Sequence, residues 1–389
     1  MNRFGKKIST IACTSLLIAL ISTSGFAATH PRYLITNDDV FGPNTVTIYS
    51  VEASPDGPKF VGKKVIPTGG QGLDGGYFAG VGVLLASDGV QQCVFAADSA
   101  SSDVAGIVLS TQKVTGDFPG SSLDNGGLNG VTLAANDRFV YASYSGTYTI
   151  ATYKIQPGCK LQFIKDVDAI GKDLGMAGPM AANGNVLVVT YGDGSIESFD
   201  ISNGVPVPNG DEQFSSGSKT GNNPSGVVLT QDGYYAIFGD ISGTTTVEVS
   251  DISSGKLAAT VVYTVGGGVD ANNVLLSPDE SMLFVDNNKS GTVTAAFFDK
   301  TIGVVSAGCT SPVLKGFGVG WFYGAGLATA SNTGNGGYVY VAEDGLLSAI
   351  GVLQLQVNGD SCELTETSHS HAPDSQSQGL RSLAVYPSR

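Results

Sequence analysis

Five polar residues, each sitting in a tight turn between two apolar runs, recur at Asp88, Asn136, Asn183, Asp232 and Asp279, with gaps of 48, 47, 49 and 47 residues. The clearest copy is "LLSPDESMLFVDNNKSGTV" (275–293), in which an alternating apolar run, a Ser-Pro-Asp-Glu turn, a second apolar run, a polar turn and a third run follow one another. The same order recurs at 130–155, 178–201 and 226–252, more loosely at 80–109, and in a longer form at 326–355. A lone hairpin cannot bury both of its faces, whereas stacked copies can. A near-constant period of this length with several short strands in each copy predicts an all-β propeller of four-stranded antiparallel blades.

Those copies supply six blades, and the two ends of the chain supply a seventh. "RYLITNDDVFGPNTVTIYSV" (32–51) reads as a second and third strand and "PKFVGKKVI" (58–66) as a fourth, while "GLRSLAVYPS" (379–388) reads as a first. The C-terminal strand is therefore expected to join the N-terminal blade and close a seven-bladed ring without a free sheet edge. The glycine-rich "TGGQGLDGG" (68–76) reads as the connection between blades one and two.

The N-terminal stretch has a basic start, an apolar run at ISTIACTSLLIALI and small residues Gly25 and Ala27 before a cleavage point after Ala27, the pattern of a secretory signal peptide over 1–27. The expected product is one propeller domain over 28–389, secreted or periplasmic and not inserted in a membrane. Removing 1–27 takes away Arg3, Lys6 and Lys7 and no acid, so the formal charge moves from −14 to −17. Such acidity disfavours nucleic acid as a partner and equally serves solubility. A monomer with a small-molecule or protein partner at the channel face is expected.

Four cysteines lie beyond the leader: Cys93, Cys159, Cys309 and Cys362. Cys159 and Cys362 occupy equivalent places in blades three and seven, which are not neighbours, so they are out of reach of one another. Pairing between adjacent blades joins Cys93 to Cys159 and Cys309 to Cys362; free buried thiols are the alternative.

The string "LSPDESMLFVDNNKSGTV" resembles the YVTN-type repeat, and seven such blades behind a signal peptide resemble the lactonase-like seven-bladed propellers, a family that includes 6-phosphogluconolactonase-type and carboxymuconate-cyclase-type proteins. The resemblance implies the propeller fold and, for catalytic members, His, Arg and Glu side chains around the channel. Here the segments entering the inner strands read "NPSGVVL", "VDANNVLL" and "YGAGLAT", without histidine or arginine. The resemblance therefore assigns no catalytic residue in this chain.

At the ends of the second strands of the blades stand Asp38, Asp98, Asp193, Asp240, Asp286 and Glu343. Converging carboxylates could hold Ca²⁺, which takes six to eight oxygens, or they could simply close their turns through side-chain to backbone bonds. The approach to the inner strands adds Asn129, Asn223, Asp270, Asn273 and Arg381. Arg381, the catalytic candidate, could bind a substrate carboxylate or fasten the closing strand to a neighbouring acid. His369 and His371 share an i, i+2 spacing that suits either a metal or a solvated loop. No phosphate loop, GxSxG or HExxH is present. Two functions remain: a ligand-binding or interaction scaffold using an acidic channel face, with no cofactor beyond the Ca²⁺ that face could hold, and a lactone-hydrolysing or cyclising enzyme at the channel mouth.

Overall fold

The computed structural model describes residues 32–54, 56–73, 81–120, 130–215, 224–240, 244–315, 327–329, 336–343, 349–367 and 382–386. Arg381, His369, His371, Asn129, Asn223 and the leader lie outside them. The described residues form seven antiparallel sheets and contain no helix.

Blade one contains β1 (Tyr33–Asn37), β2 (Gly42–Glu52) and β3 (Lys59–Gly72), and blade two runs β4 (Val83–Ser87), β5 (Gln92–Asp98), β6 (Asp103–Val108), β7 (Lys113–Pro119). Blade three holds β8 (Val131–Ala135), β9 (Phe139–Tyr144), β10 (Thr149–Gln156) and β11 (Lys160–Asp168). In blade four, β12 (Ala177–Asn183), β13 (Val186–Tyr191) and β14 (Ser195–Asp200) are followed by an outer position split into two short pieces, β15 (Val207–Pro208) and β16 (Gln213–Phe214). Blade five is β17 (Pro224–Leu229), β18 (Tyr235–Asp240), β19 (Thr244–Asp251) and β20 (Val261–Val269). Blade six is β21 (Ala271–Leu276), β22 (Met282–Asn287), β23 (Thr292–Asp299) and β24 (Val304–Thr310). Blade seven is β25 (Leu327–Thr329), β26 (Gly337–Glu343), β27 (Ala349–Asn358) and β28 (Ser361–Glu366), and β29 (Ser382–Tyr386) ends the chain. As expected, β29 pairs antiparallel with β1, from Tyr33 opposite Tyr386 to Asn37 opposite Ser382, and so becomes the innermost strand of blade one.

Strand alternation builds the core, because successive side chains face opposite neighbours. On β22, Leu283 and Val285 pack towards blade five while Met282 and Phe284 pack towards blade seven. Seven apolar clusters arise in this way, one at each junction between adjacent blades. The periodic turn residues fasten some of the same junctions. Asp88 accepts bonds from Gly158 N and Cys159 N of blade three, at 2.7 and 3.2 Å. The Asn136 amide donates to Gly184 O of blade four, and the Asn183 amide donates to Thr230 O and Gln231 O of blade five. Disulfides Cys93–Cys159 and Cys309–Cys362 join blades two to three and six to seven, each with Cα atoms 5.4 Å apart.

One expectation is corrected. The glycine-rich segment is not wholly a connection: residues 68–72 continue β3, because β2 is also long and pairs Gly42 with Gly72 and Pro43 with Gln71. The end of this outer strand consequently lies against blade two.

Candidate functional site

The second strands deliver their acids to one end of the ring, where the second-to-third hairpins and the connections into each first strand lie. Two of these acids, Asp38 and Asp193, are occupied by donors of their own blade. Asp38 is buried and accepts hydroxyl bonds from Thr36, Thr45 and Thr47; burial raises its pKa, with the three hydroxyls acting against that. Asp193 accepts Ser195 N and Oγ at 2.9 and 2.6 Å and Asp173 N at 2.7 Å. Burial pushes the Asp193 pKa upward, but the donated bonds together outweigh it and hold the carboxyl below its ordinary range. Asp240 and Asp286 are buried where β18 and β22 end, opposite Thr246 and Val293. Asp270 precedes β21 in left-handed backbone (φ 73°), and burial raises its pKa against the attraction of Lys289. Glu343 closes β26.

Asp98 has a different environment. It closes β5 directly opposite Asp103, the first residue of β6, and Asp117 on β7 stands opposite Ala105. Cross-strand partners share a face, as do residues two apart on one strand. All three carboxyls therefore face blade one, while Ala97 and Val104 face blade three. One oxygen from each lies within 4.8 Å of the others. Asp98 is 0 % exposed. Its Oδ1 accepts Asn44 Nδ2 and Thr68 Oγ1 of blade one, both at 2.7 Å. Its Oδ2 has no partner, and neither does Asp117 Oδ1. Asp103 accepts Ser101 Oγ at 2.9 Å.

Among the described residues the ion pairs are Lys300–Glu280 and Lys315–Glu366, so no basic side chain neutralises the trio. Burial, reinforced by repulsion from Asp117 and Asp39, pushes the Asp98 pKa up to about 7. Burial likewise raises Asp103, with Asp117 and Asp98 repelling its charge, and raises Asp117. Carboxylates this close cannot all ionise without a counter-charge, so the trio must either keep protons or hold a cation. The glycine-rich end of β3 runs over it: a Cβ at Gly70 would stand 2.6 Å from the Asp98 Cβ, Cγ and Oδ2 atoms.

The second feature is a central cavity of about 490 Å³, within the size range of small-molecule sites. Its wall draws on all seven inner strands, with aliphatic side chains such as Leu84, Leu133, Met180, Val228 and Leu275. Each inner strand is paired with a neighbouring strand on one side only, so its second edge turns backbone N–H and C=O groups inward, although Val83 N and Leu133 N are taken by Ser382 Oγ and Val81 O of the adjacent blade. Asn273 is part of this lining; Asp38, Asp98, Asp193, Asp240, Asp270 and Asp286 are not. The charged lining residue among those described is Glu280, which accepts Gln231 N and pairs with Lys300 at 3.4 Å.

The structure thus joins one sequence candidate, Asp98, to two residues not singled out beforehand. Asp103 was readable as the hairpin partner of Asp98 in "DSASSD". Asp117 was not, because its register depends on an irregularity in β6–β7 pairing between Gly106 and Ile107.

A family profile described as "Lactonase, 7-bladed beta-propeller" matches residues 129–374. No curated protein matches the chain in sequence. Among solved structures, a functionally unknown protein from Desulfotomaculum acetoxidans superposes with a TM-score of 0.62 at 14% identity, over 91% of this chain and 98% of that one. A provisionally assigned 6-phosphogluconolactonase from Bacteroides uniformis gives a TM-score of 0.54 at 10% identity, over 71% and 80% of the two chains. Another, from Bacteroides fragilis, gives 0.54 at 12% identity, over 71% and 79%. Likeness at these identities shows the fold.

Proposed function

The chain belongs to the family of seven-bladed β-propeller lactonases, and from that premise we propose that it binds an uncharged carbonyl compound of the lactone class in its central cavity without turning it over. The carrying observation is the cavity wall, which combines aliphatic side chains with inner-strand edges to which no further strand is paired. An apolar ring suits the side chains, and a ring carbonyl suits an edge N–H. Among the described lining residues there is no cation to meet a phosphorylated lactone, and a polyhydroxylated one would leave several hydroxyls unpaired against aliphatic groups. A general base would have to be free to reach a water at the ring carbonyl. Glu280 is instead engaged by Gln231 N and Lys300.

Hydrolysis of such a lactone is the second reading, favoured by family membership itself. The two are separated by titrating a neutral aliphatic δ-lactone and 6-phosphogluconolactone into the protein in a calorimeter while ring opening is followed by pH-stat. The binding reading predicts saturable heat with the neutral lactone alone, lost in the cavity-filling variants Ala181→Phe and Val228→Phe, and ring opening at the solvent rate. Ring opening well above that rate and abolished by Glu280→Gln would establish the enzyme instead.

We also assign the protein to an exported compartment. Two disulfides between adjacent blades support this, since such bonds persist in oxidising surroundings. Fractionation of expressing cells tests it: recovery of the reduced chain from the cytosol, with its N-terminus intact, would refute it.

A further inference from the structure

We propose that Asp98, Asp103 and Asp117 form a calcium site that fastens blade two to blade one, separate from the central cavity. The donor set is all oxygen, which suits a hard cation. The three oxygens lie within 4.8 Å of one another, the span that two ligands at about 2.4 Å on opposite sides of one calcium can reach.

A second observation points the same way. Asp98 is fully buried, and its orientation is fixed through Oδ1 by Asn44 and Thr68 of blade one, which leaves Oδ2 beneath Gly70 with no partner, in a carboxyl that has an oxygen within 4.8 Å of both other acids. Asp117 Oδ1 is likewise buried and unpartnered. Unpaired buried carboxylate oxygens are costly, and nothing in the hydrogen-bonding of blade one repairs these. The donors sit on one oxygen of Asp98 and spare the other, the arrangement of outer groups that orient a metal ligand.

The surroundings fit a cation. The end of β3 passes over the trio as Gly69-Gly70, and any side chain at Gly70 would occupy the space beside Asp98 Oδ2. Blade junctions two–three and six–seven carry disulfides, whereas junction one–two carries this cluster. Blade one is completed by the closing strand, whose Ser382 Oγ accepts Val83 N of blade two at 2.8 Å. A cation here would hold the junction at which the ring closes.

The test uses full-length protein treated with EDTA and then titrated calorimetrically with CaCl₂ near neutral pH. One calcium per chain is expected, and Asp98→Asn, Asp103→Asn and Asp117→Asn should each weaken it by about tenfold or more. In EDTA these variants should unfold in urea at or above the wild-type midpoint, because each removes a repelling charge. Asp193→Asn, which alters an acid committed to its own turn, should bind calcium as wild type does. Absence of calcium binding to the wild-type protein at millimolar concentration would overturn the proposal whatever the variants do. So would binding that survives all three substitutions, or tighter binding of MgCl₂ than of CaCl₂.

Discussion

Replacing Gly70 by alanine tests the close approach of blades one and two with a single methyl group. The added Cβ would meet three Asp98 atoms at 2.6 Å, whereas ordinary contact begins at 3.4 Å, so about 0.8 Å of displacement is required. Asp98 cannot swing away, because Asn44 and Thr68 hold it and its side chain is fully buried. Overpacking of this kind costs about 1–3 kcal/mol. Gly62 lies on the same strand, also outside left-handed backbone, and a methyl group added there would find nothing within 4 Å. Gly62→Ala should therefore be neutral or stabilising by up to about 1 kcal/mol through the unfolded chain. Urea unfolding in EDTA should separate the two variants by about 1–4 kcal/mol. Equal stabilities would refute the claim that β3 closes over the carboxylate trio.

Three further outcomes follow from named contacts. Bonds from Gln91, Val90, Gly158 and Cys159 N–H groups outweigh burial and hold the Asp88 pKa down to about 2, so its contribution is present above the unfolded value near 4 and lost as pH falls through about 2. Since Asp88 is well solvated, that contribution is about 1 kcal/mol or less, and Asp88→Asn should flatten the acid limb of the stability curve by that amount; an unchanged limb would contradict it. Replacing either cysteine pair by serine should cost about 4 kcal/mol, from closed loops of 66 and 53 residues, measured as a shift in urea midpoint that is absent if the thiols are free. Deleting residues 382–389 removes β29 and exposes the inner edge of blade one, so the single cooperative transition should be lost; a truncated chain that unfolds like wild type would show that closure does not depend on β29.

The fold was legible because its signals are local. Turn residues such as Asn136, Pro278 and Asp279 and the alternation of Leu283, Phe284 and Val285 report directly on the hairpin, and the period reports on their stacking. Disulfide partners were legible once blades were counted, since only adjacent blades bring Cα atoms within reach. The carboxylate trio was only partly legible. Asp98 and Asp103 flank one turn, but Asp117 joins them through a shifted register that no local pattern specifies. The acids at second-strand ends looked equivalent in sequence and differ in their neighbours: Thr36, Thr45 and Thr47 occupy Asp38, and Ser195 occupies Asp193, whereas Asp98 retains a free oxygen. The aliphatic cavity was hidden because its lining comes from seven strands scattered through the chain.

The most direct measurement is a crystal structure of the protein soaked with a neutral δ-lactone. The proposed function predicts an intact ring among the inner strands, its carbonyl bonded to an edge N–H and its carbons against side chains such as Met180 and Val228. An opened hydroxy acid in the cavity, or a lactone bound only elsewhere on the ring, would contradict it.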